Sequence, residues 1–348
     1  MKPIPYKFDI DEDISGIVSR IAGDIDFFTG KTVLVTGATG FFGWWLLSVL
    51  QKLNKQFSCG MQICAISRNA SAFLDKYPSF RDGVTFLEGD LRRIRLVGLK
   101  IDYCFHMATT NASETFHDED QLNKIDLLYL GTKNLMSELA HSNVEKIVFT
   151  SSGVAYGALP TQKDYTESSR MAPVTTDPAS ALGEAKRLAE YVTAYHCRSE
   201  NISYNIARCF SFVGPLLPLD LHYAIGNFIN DALNEESISV KGTGRDVRSY
   251  LYIADAISWL LKLMISPTKN EIYNVGSSRS VSIKELAELV RDLLAPNKQV
   301  IVRNQIKTTD NFERTIYVPN TKKIIKDLGV QEWSSLDEAI LKTAAYTI

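Results

Sequence analysis

The chain has 348 residues, 45% hydrophobic and 22% charged, with a net charge of −2. That composition is ordinary for a soluble globular protein long enough for two domains, or one domain with an appended lobe. It excludes the electrostatic footprint of a nucleic-acid or acidic-membrane binder, and no apolar run approaches the roughly 18 residues that span a bilayer. The start, Met1-Lys2-Pro3-Ile4, runs into acidic residues without an apolar signal core, so a cytoplasmic location is expected. Cys59, Cys64, Cys104, Cys197 and Cys209 include no C-x-x-C pair, so buried thiols are expected rather than disulfides or a metal site.

Ahead of the first strand, Ile14, Ile17, Val18 and Ile21 repeat at helical spacing. Phe27-Phe28 are placed to pin this N-terminal extension, residues 1–30, to the main domain. Strands are predicted at 31–37, 62–68, 84–90, 103–108 and 146–152, with helices near 42–54, 70–76 and 120–142 between them. Such alternation predicts an α/β fold with a doubly wound parallel sheet and right-handed crossovers. Nearly continuous apolar strands, such as Lys146-Ile147-Val148-Phe149-Thr150, agree with a sheet covered on both faces. Beyond residue 215 the rhythm loosens. Pro215 and Pro218 lead to a helix near 223–234, and Gly242-Thr243-Gly244 makes a turn. Ser282 and Glu285 read as a capping box for a helix at 282–294. A strand at 299–303 and helices near 320–328 and 335–346 complete a smaller C-terminal α/β lobe. The expected division is therefore 31–214 and 215–348, with the chain crossing back into the first domain near 250–276.

The stretch that organises this pattern is Val33-Leu34-Val35-Thr36-Gly37-Ala38-Thr39-Gly40-Phe41-Phe42-Gly43. A strand, a glycine turn and an apolar helix in that order hold a dinucleotide pyrophosphate in Rossmann-type sheets. Gly37 turns the chain, Gly40 admits the phosphates, and Gly43 lets the helix pack on the strand, while the helix N-terminus favours the anion. Strand two ends Ile66-Ser67-Arg68, where NAD-binding folds usually carry a carboxylate. A hydroxyl beside a guanidinium suits a 2′-phosphate better, so the cofactor is read as NADP or NAD, leaning to NADP. Asp90 ends strand three where an adenine amino group could be met. His106-Met107-Ala108-Thr109 ends strand four with small residues for a cofactor to cross. Thr150-Ser151-Ser152 sets hydroxyls at the carboxyl end of strand five, facing the ligand crevice of such a sheet.

Read together, these residues resemble the extended short-chain dehydrogenases/reductases, the nucleotide-sugar epimerases and dehydratases. The motifs match in order over about residues 31–330. They are Thr36 to Gly43; Gly89-Asp90-Leu91; His106-Met107-Ala108; Thr150-Ser151-Ser152 with Tyr156-Gly157; Arg208 to Gly214-Pro215; Arg248 with Tyr252-Ile253-Ala254-Asp255; and Tyr273-Asn274-Val275-Gly276. The resemblance implies an NAD(P)-dependent enzyme of surface-polysaccharide or deoxysugar biosynthesis. It would act on a nucleotide-diphosphate sugar by hydride transfer at C4, with the 215–348 lobe holding the substrate. Along the cofactor it implies Thr39, Phe41 and Phe42 in the glycine turn, Leu91 and Ala108 at neighbouring strand tips, and Thr150, Lys186 and Arg208 toward the nicotinamide. On the substrate side it implies Thr109, Ser152, Gly153 and Asn227, with Arg248 and Arg314 on the diphosphate. It also implies a homodimer built on the 120–142 and 180–198 helices, the latter presenting Leu188, Tyr191, Val192 and Tyr195.

Two positions depart from that family. Its Tyr-x-x-x-Lys base pair reads here as Leu182 and Lys186, and a leucine has no proton to exchange. Three explanations stand open: a deliberate substitution, a relocated group (Tyr156, Tyr165 or Lys186 itself), or a ligand site that has lost its redox chemistry. The Asp-Glu pair of the 4,6-dehydratases reads here as Gly153-Val154, which disfavours dehydration. The expected function is an epimerase or 4-keto reductase. The alternatives are a catalytically silent binding relative or a 4,6-dehydratase.

Overall fold

The structure, a computed structural model, describes residues 7–110, 120–157, 165–221, 223–304 and 315–347. The chain enters through α1 (Ile10–Ile21), whose Asp9 cap accepts from the Asp11 amide and whose Ile14, Ile17, Val18 and Ile21 form one buried stripe. The 3₁₀ segment after it stacks Phe27 on Tyr103 at 4.4 Å and buries Phe28 completely. Next, β1 (Thr32–Thr36), α2 (Phe41–Phe57), β2 (Gln62–Ser67), α3 (Ala70–Lys76), β3 (Val84–Glu88) and β4 (Tyr103–His106) alternate. Then come α4 (Gln121–Leu139), β5 (Lys146–Ser152), α5 (Ala181–Ser199) and β6 (Ser203–Cys209).

The second half interleaves short strands with helices. They run β7 (Phe212–Val213), α6 (Ala224–Asn234), β8 (Ser237–Val240), β9 (Val247–Ser249), β10 (Leu251–Tyr252), α7 (Ile253–Ile265) and β11 (Glu271–Val275). After them come β12 (Ser280–Ser282), α8 (Ile283–Leu294), β13 (Gln299–Val302), β14 (Ile316–Tyr317), α9 (Lys322–Leu328) and α10 (Leu336–Thr347). The capping box at Ser282 and Glu285 is made in both directions.

Seven strands form one parallel sheet in the order β11-β6-β5-β4-β1-β2-β3. This is the doubly wound α/β architecture that the strand–helix alternation predicts. β1 shows why both faces must be covered: Val33 and Val35 enter one apolar cluster and Leu34 the other, and all three are fully buried. The first cluster joins the sheet to α1, α2, α7 and the C-terminal helices, and the second joins it to α4 and α5. β11 lies on β6 at the sheet edge, so residues 271–275 return to the main sheet after the first part of the lobe. The small strands form a β12-β9-β14 sheet and two pairs, β7 with β10 and β8 with β13.

Strand order reverses between β1 and β4, with β2 and β3 running one way and β5, β6 and β11 the other. Ligands of open α/β sheets bind in the crevice beyond the carboxyl ends of strands at such a switch point. The glycine turn and the hydroxyls of β5 both lie at that end. No helix among the described residues is long and apolar enough to cross a membrane, and the five cysteines are free thiols, four of them buried.

Candidate active site

The turn between β1 and α2 is set by backbone demands that only glycine meets. Gly37 has φ +68°, and a Cβ there would stand 2.7 Å from the Met107 carbonyl. At Gly43 a Cβ would stand 2.3 Å from the Ala38 carbonyl oxygen, so α2 and the turn close directly on each other. Gly40, the N-cap of α2, has no side-chain cap, and a Cβ there would meet only the Gly37 oxygen at 3.4 Å. A 17-residue helix thus begins at a glycine with space above it, which fits a dinucleotide pyrophosphate. Thr36 supports the turn from below. Its hydroxyl bonds His106 Nδ1 at 2.8 Å and accepts the Met107 and Ala108 amides at 3.1 Å each. His106 Nε2 lies 2.9 Å from the Thr132 hydroxyl, and burial, with Lys186 nearby, lowers this imidazole to about 3, so it is neutral.

At the β2 tip Ser67 is buried, accepts the Asn69 amide at 3.2 Å and lies 3.4 Å from the Thr39 hydroxyl. Arg68 is exposed and close enough to Asp90 to help lower its carboxyl, after the larger effect of hydrogen bonding from Arg92. Arg92 grips Asp90 through Nε at 3.0 Å and Nη2 at 2.5 Å. Leu91 is buried and packs on the α4 backbone at Gly131. Phe41 and Phe42 meet edge to face at 5.8 Å, and Phe42 meets Phe212 at 4.8 Å.

The catalytic candidates converge at the ends of β5 and β6. Lys186, one turn after Leu182 on α5, is 4% exposed and donates to the Thr150 carbonyl at 2.8 Å. Its ammonium lies 5.2 Å from the Phe149 ring centre. Burial lowers it to about 8, against the pull of Cys209 and Glu190. Ser152 closes β5, half-buried, opposite Cys209 in the β5–β6 register, and its hydroxyl accepts the Val154 amide at 3.3 Å. Burial pushes the Cys209 thiol up to about 12, with Lys186 acting in the other direction.

Two tyrosines named from the sequence lie behind this site. Tyr156 is fully buried, donates to Asn274 Oδ1 at 2.9 Å, and carries the Arg208 guanidinium 4.4 Å above its ring. Tyr165 is 1% exposed, ringed by Tyr156, Phe210 and Tyr317 at 5.5, 6.0 and 6.4 Å. Arg208 itself binds Glu190 through Nε at 2.8 Å and Nη2 at 2.6 Å, and Ser151 donates to the same carboxylate at 2.5 Å. The resemblance draws Arg208 toward the cofactor, whereas here both edges of the fork used are inside the protein.

On the lobe side, Arg248 donates to the carbonyls of Val247 and Thr315 and to the Thr315 hydroxyl. Asn227 has its side-chain amide against the carbonyls of Leu221 and Leu219, where its nitrogen, in the orientation that satisfies both, donates at 2.5 and 3.2 Å. Thr109 is exposed, and Arg314 lies outside the described residues. The sequence reading missed Tyr317. β14 pairs Tyr317 with Arg248 of β9 and sets the phenol over Gly153: a Cβ on Gly153 would stand 2.6 Å from Tyr317 Oη. The ring packs on Phe210 at 4.6 Å. Burial pushes the phenol well above its usual range, while a hydrogen bond with Ser152 and the charge of Arg248 pull it down.

A plant relative, UDP-glucuronic acid decarboxylase 6 of Arabidopsis thaliana, is 28% identical over 278 residues, 79% of this chain and 77% of the relative. Among solved structures, UDP-glucuronic acid 4-epimerase of Bacillus cereus, in complex with UDP-glucuronic acid and NAD, superposes with a TM-score of 0.76 at 20% identity. The match covers 90% of this chain and 98% of that one. UDP-glucose 4-epimerase of Thermotoga maritima superposes with a TM-score of 0.74 at 22% identity, over 91% and 98% of the two chains. The sequence profile of the NAD dependent epimerase/dehydratase family matches residues 33–276, and the chain belongs to that family.

Proposed function

We propose that this chain modifies a nucleotide-diphosphate sugar by transient redox change at C4, as an epimerase or 4-keto reductase. The observation that carries this reading is the placement of Lys186 on the Thr150 carbonyl at the carboxyl end of β5, the strand of Ser152, on the same edge of the sheet as the glycine turn and separated from it by β4. A dinucleotide, when bound, supplies the hydride acceptor and donor. Lys186 would hold its nicotinamide ribose, Gly37, Gly40 and Gly43 would admit the pyrophosphate, and Ser152 would hydrogen-bond the sugar hydroxyl. Arg248 would meet the diphosphate from the lobe. Dehydration is disfavoured because Gly153 and Val154 carry no carboxylates and Tyr317 fills the space over Gly153. The test is incubation with dinucleotide and a panel of UDP-, dTDP-, CDP- and GDP-sugars, UDP-glucuronic acid included, with product sugar and carbon dioxide measured. Binding without conversion of any sugar would leave the silent relative as the correct reading.

The family is NAD dependent. The finer preference for NADP rests on Ser67 and Arg68, which stand where a ribose-binding carboxylate is usual. A 2′-phosphate contact at Arg68 should make NADP bind at least tenfold tighter than NAD, about 1.4 kcal/mol. Equal affinities in the unaltered protein and in Arg68→Ala would remove the preference.

A homodimer through α4 and α5 is also proposed. Leu122 and Leu130 on α4, and Leu188, Tyr191 and Tyr195 on α5, are exposed, with Tyr191 and Tyr195 stacked at 6.2 Å. Val192 leaves the expected stripe because it faces the sheet and is buried in the protein's own core. Long amphipathic helices need such faces covered. Light scattering at micromolar concentration should give twice the chain mass, and a monomer would refute the interface.

A further inference from the structure

We propose that Tyr317 is the proton-exchanging phenol of this protein, acting in place of the tyrosine that the chain lacks at Leu182. The proposal deepens the nucleotide-sugar function proposed for this site and rests on it. Four observations converge on Tyr317. Its hydroxyl stands where a side chain on Gly153 would begin, one residue beyond Ser152. Ser152, the hydroxyl proposed to hold the sugar, is close enough to shift the phenol's proton affinity. Cys209, the register partner of Ser152, lies within electrostatic range of both Lys186 and Tyr317, so the ammonium and the phenol share one small cluster. Finally, Tyr317 is half-buried, whereas Tyr156 and Tyr165 are at most 1% exposed. The Tyr156 hydroxyl is already given to Asn274.

The local sequence explains the arrangement. Glycine at 153 leaves room for a phenol arriving from another strand, and Phe210 gives its ring a flat wall at 4.6 Å. Arg248, paired with Tyr317 across β9 and β14, puts a positive charge within electrostatic range of the phenol. That charge favours the phenolate left after a proton is delivered.

In the reducing direction a hydride, with its two electrons, passes from a reduced nicotinamide to C4 of a 4-keto sugar. The C4 carbonyl π bond breaks, its oxygen takes the Tyr317 proton, and the phenolate remains beside Ser152 and Arg248. In the oxidising direction the phenolate takes the C4 hydroxyl proton as the hydride passes to an oxidised nicotinamide. Burial keeps the phenol protonated at neutral pH, so the resting group is the donor.

Tyr317→Phe tests this, because the ring that packs on Phe210 is kept and only the hydroxyl is lost. With the nucleotide sugar that the unaltered protein converts, kcat should fall about 10²–10⁴-fold. Calorimetry should show that sugar binding with a Kd within about fivefold of the unaltered protein, the change that one ordinary hydrogen bond lost at a site brings. A kcat within threefold of the unaltered protein would overturn the assignment. So would a loss of binding equal to the loss in kcat/KM, which marks a substrate contact rather than a proton donor. If the unaltered protein binds nucleotide sugars and converts none, the proposed function fails first, and the role of Tyr317 falls with it. The two failures are therefore told apart by the unaltered protein alone.

Discussion

Lys186→Met should lower turnover about 10²–10³-fold, the usual cost of removing one preorganised charge from an active site. Methionine fills nearly the same volume above Phe149, so the change removes the ammonium and leaves the packing. Two effects then disappear together: the donor to the Thr150 carbonyl and the positive charge beside Cys209 and Ser152. Because burial lowers Lys186 to about 8, its charge in the ligand-free protein is lost as pH rises through about 8. Turnover that needs the charge should decline above that pH, and this limb should be missing from the residual activity of Lys186→Met. Stability has the opposite slope. The ordinary lysine value is 10.5, so between about 8 and 10.5 the unfolded chain binds the proton that the folded chain has released. The penalty of burying the charge is complete below about 8 and is relieved as pH rises through that window, so this residue makes stability increase with pH there. Denaturation midpoints of the two proteins measured at pH 7 and pH 10 should therefore converge. A Met variant with full turnover would end the role assigned to Lys186.

Legibility in the sequence depends on the range of the interactions. The glycine turn was legible because its whole argument lies within eleven residues, and the five strands predicted before residue 153 because each carries its own apolar signature. The capping box at Ser282 was equally local. Arg208 was legible as a motif residue, but its engagement by Glu190 depends on β6 lying beside β5 and on α5 packing across both. Tyr156 and Tyr165 read as candidates for the relocated group. Only Asn274, which accepts from the first and donates to the carbonyl of the second, shows them to be part of the wall behind the site. Tyr317 was the hardest to see. It reaches Ser152 from 165 positions away, through a two-residue strand whose pairing with β9 has no sequence pattern of its own, and it fits only because residue 153 has no side chain. Val192 was misplaced for a related reason. Helical spacing shows a stripe, but on α5 the sheet-facing and outward-facing residues adjoin, and only packing separates Val192 from Tyr191 and Tyr195.

Gly43→Ala should damage the protein far more than Gly40→Ala in the same glycine turn. An alanine Cβ there would stand 2.3 Å from the Ala38 oxygen and 2.4 Å from both the Ala38 carbon and the Gly37 oxygen. These are backbone atoms, so no side chain can rotate away, and α2 must separate from the turn. That movement is resisted by the buried face of α2, including Trp45, Leu46, Val49, Leu50 and Leu53. The Trp45 indole also donates to the Pro215 carbonyl at 3.1 Å. Overpacking of this kind costs about 1–3 kcal/mol, and more where relaxation is blocked. The melting temperature should fall by at least several degrees, and any protein that still folds should hold its turn amides away from the position a pyrophosphate requires. Dinucleotide affinity should drop at least tenfold, about 1.4 kcal/mol. Gly40→Ala is the informative comparison. Its Cβ would meet only the Gly37 oxygen at 3.4 Å, so the fold has room for the methyl and any lost affinity reports the ligand's own approach to the helix N-terminus. Melting loss confined to Gly43→Ala, with affinity lost in both variants, is the expected pattern. Undiminished dinucleotide binding by Gly40→Ala and Gly43→Ala alike would place the cofactor somewhere other than this turn.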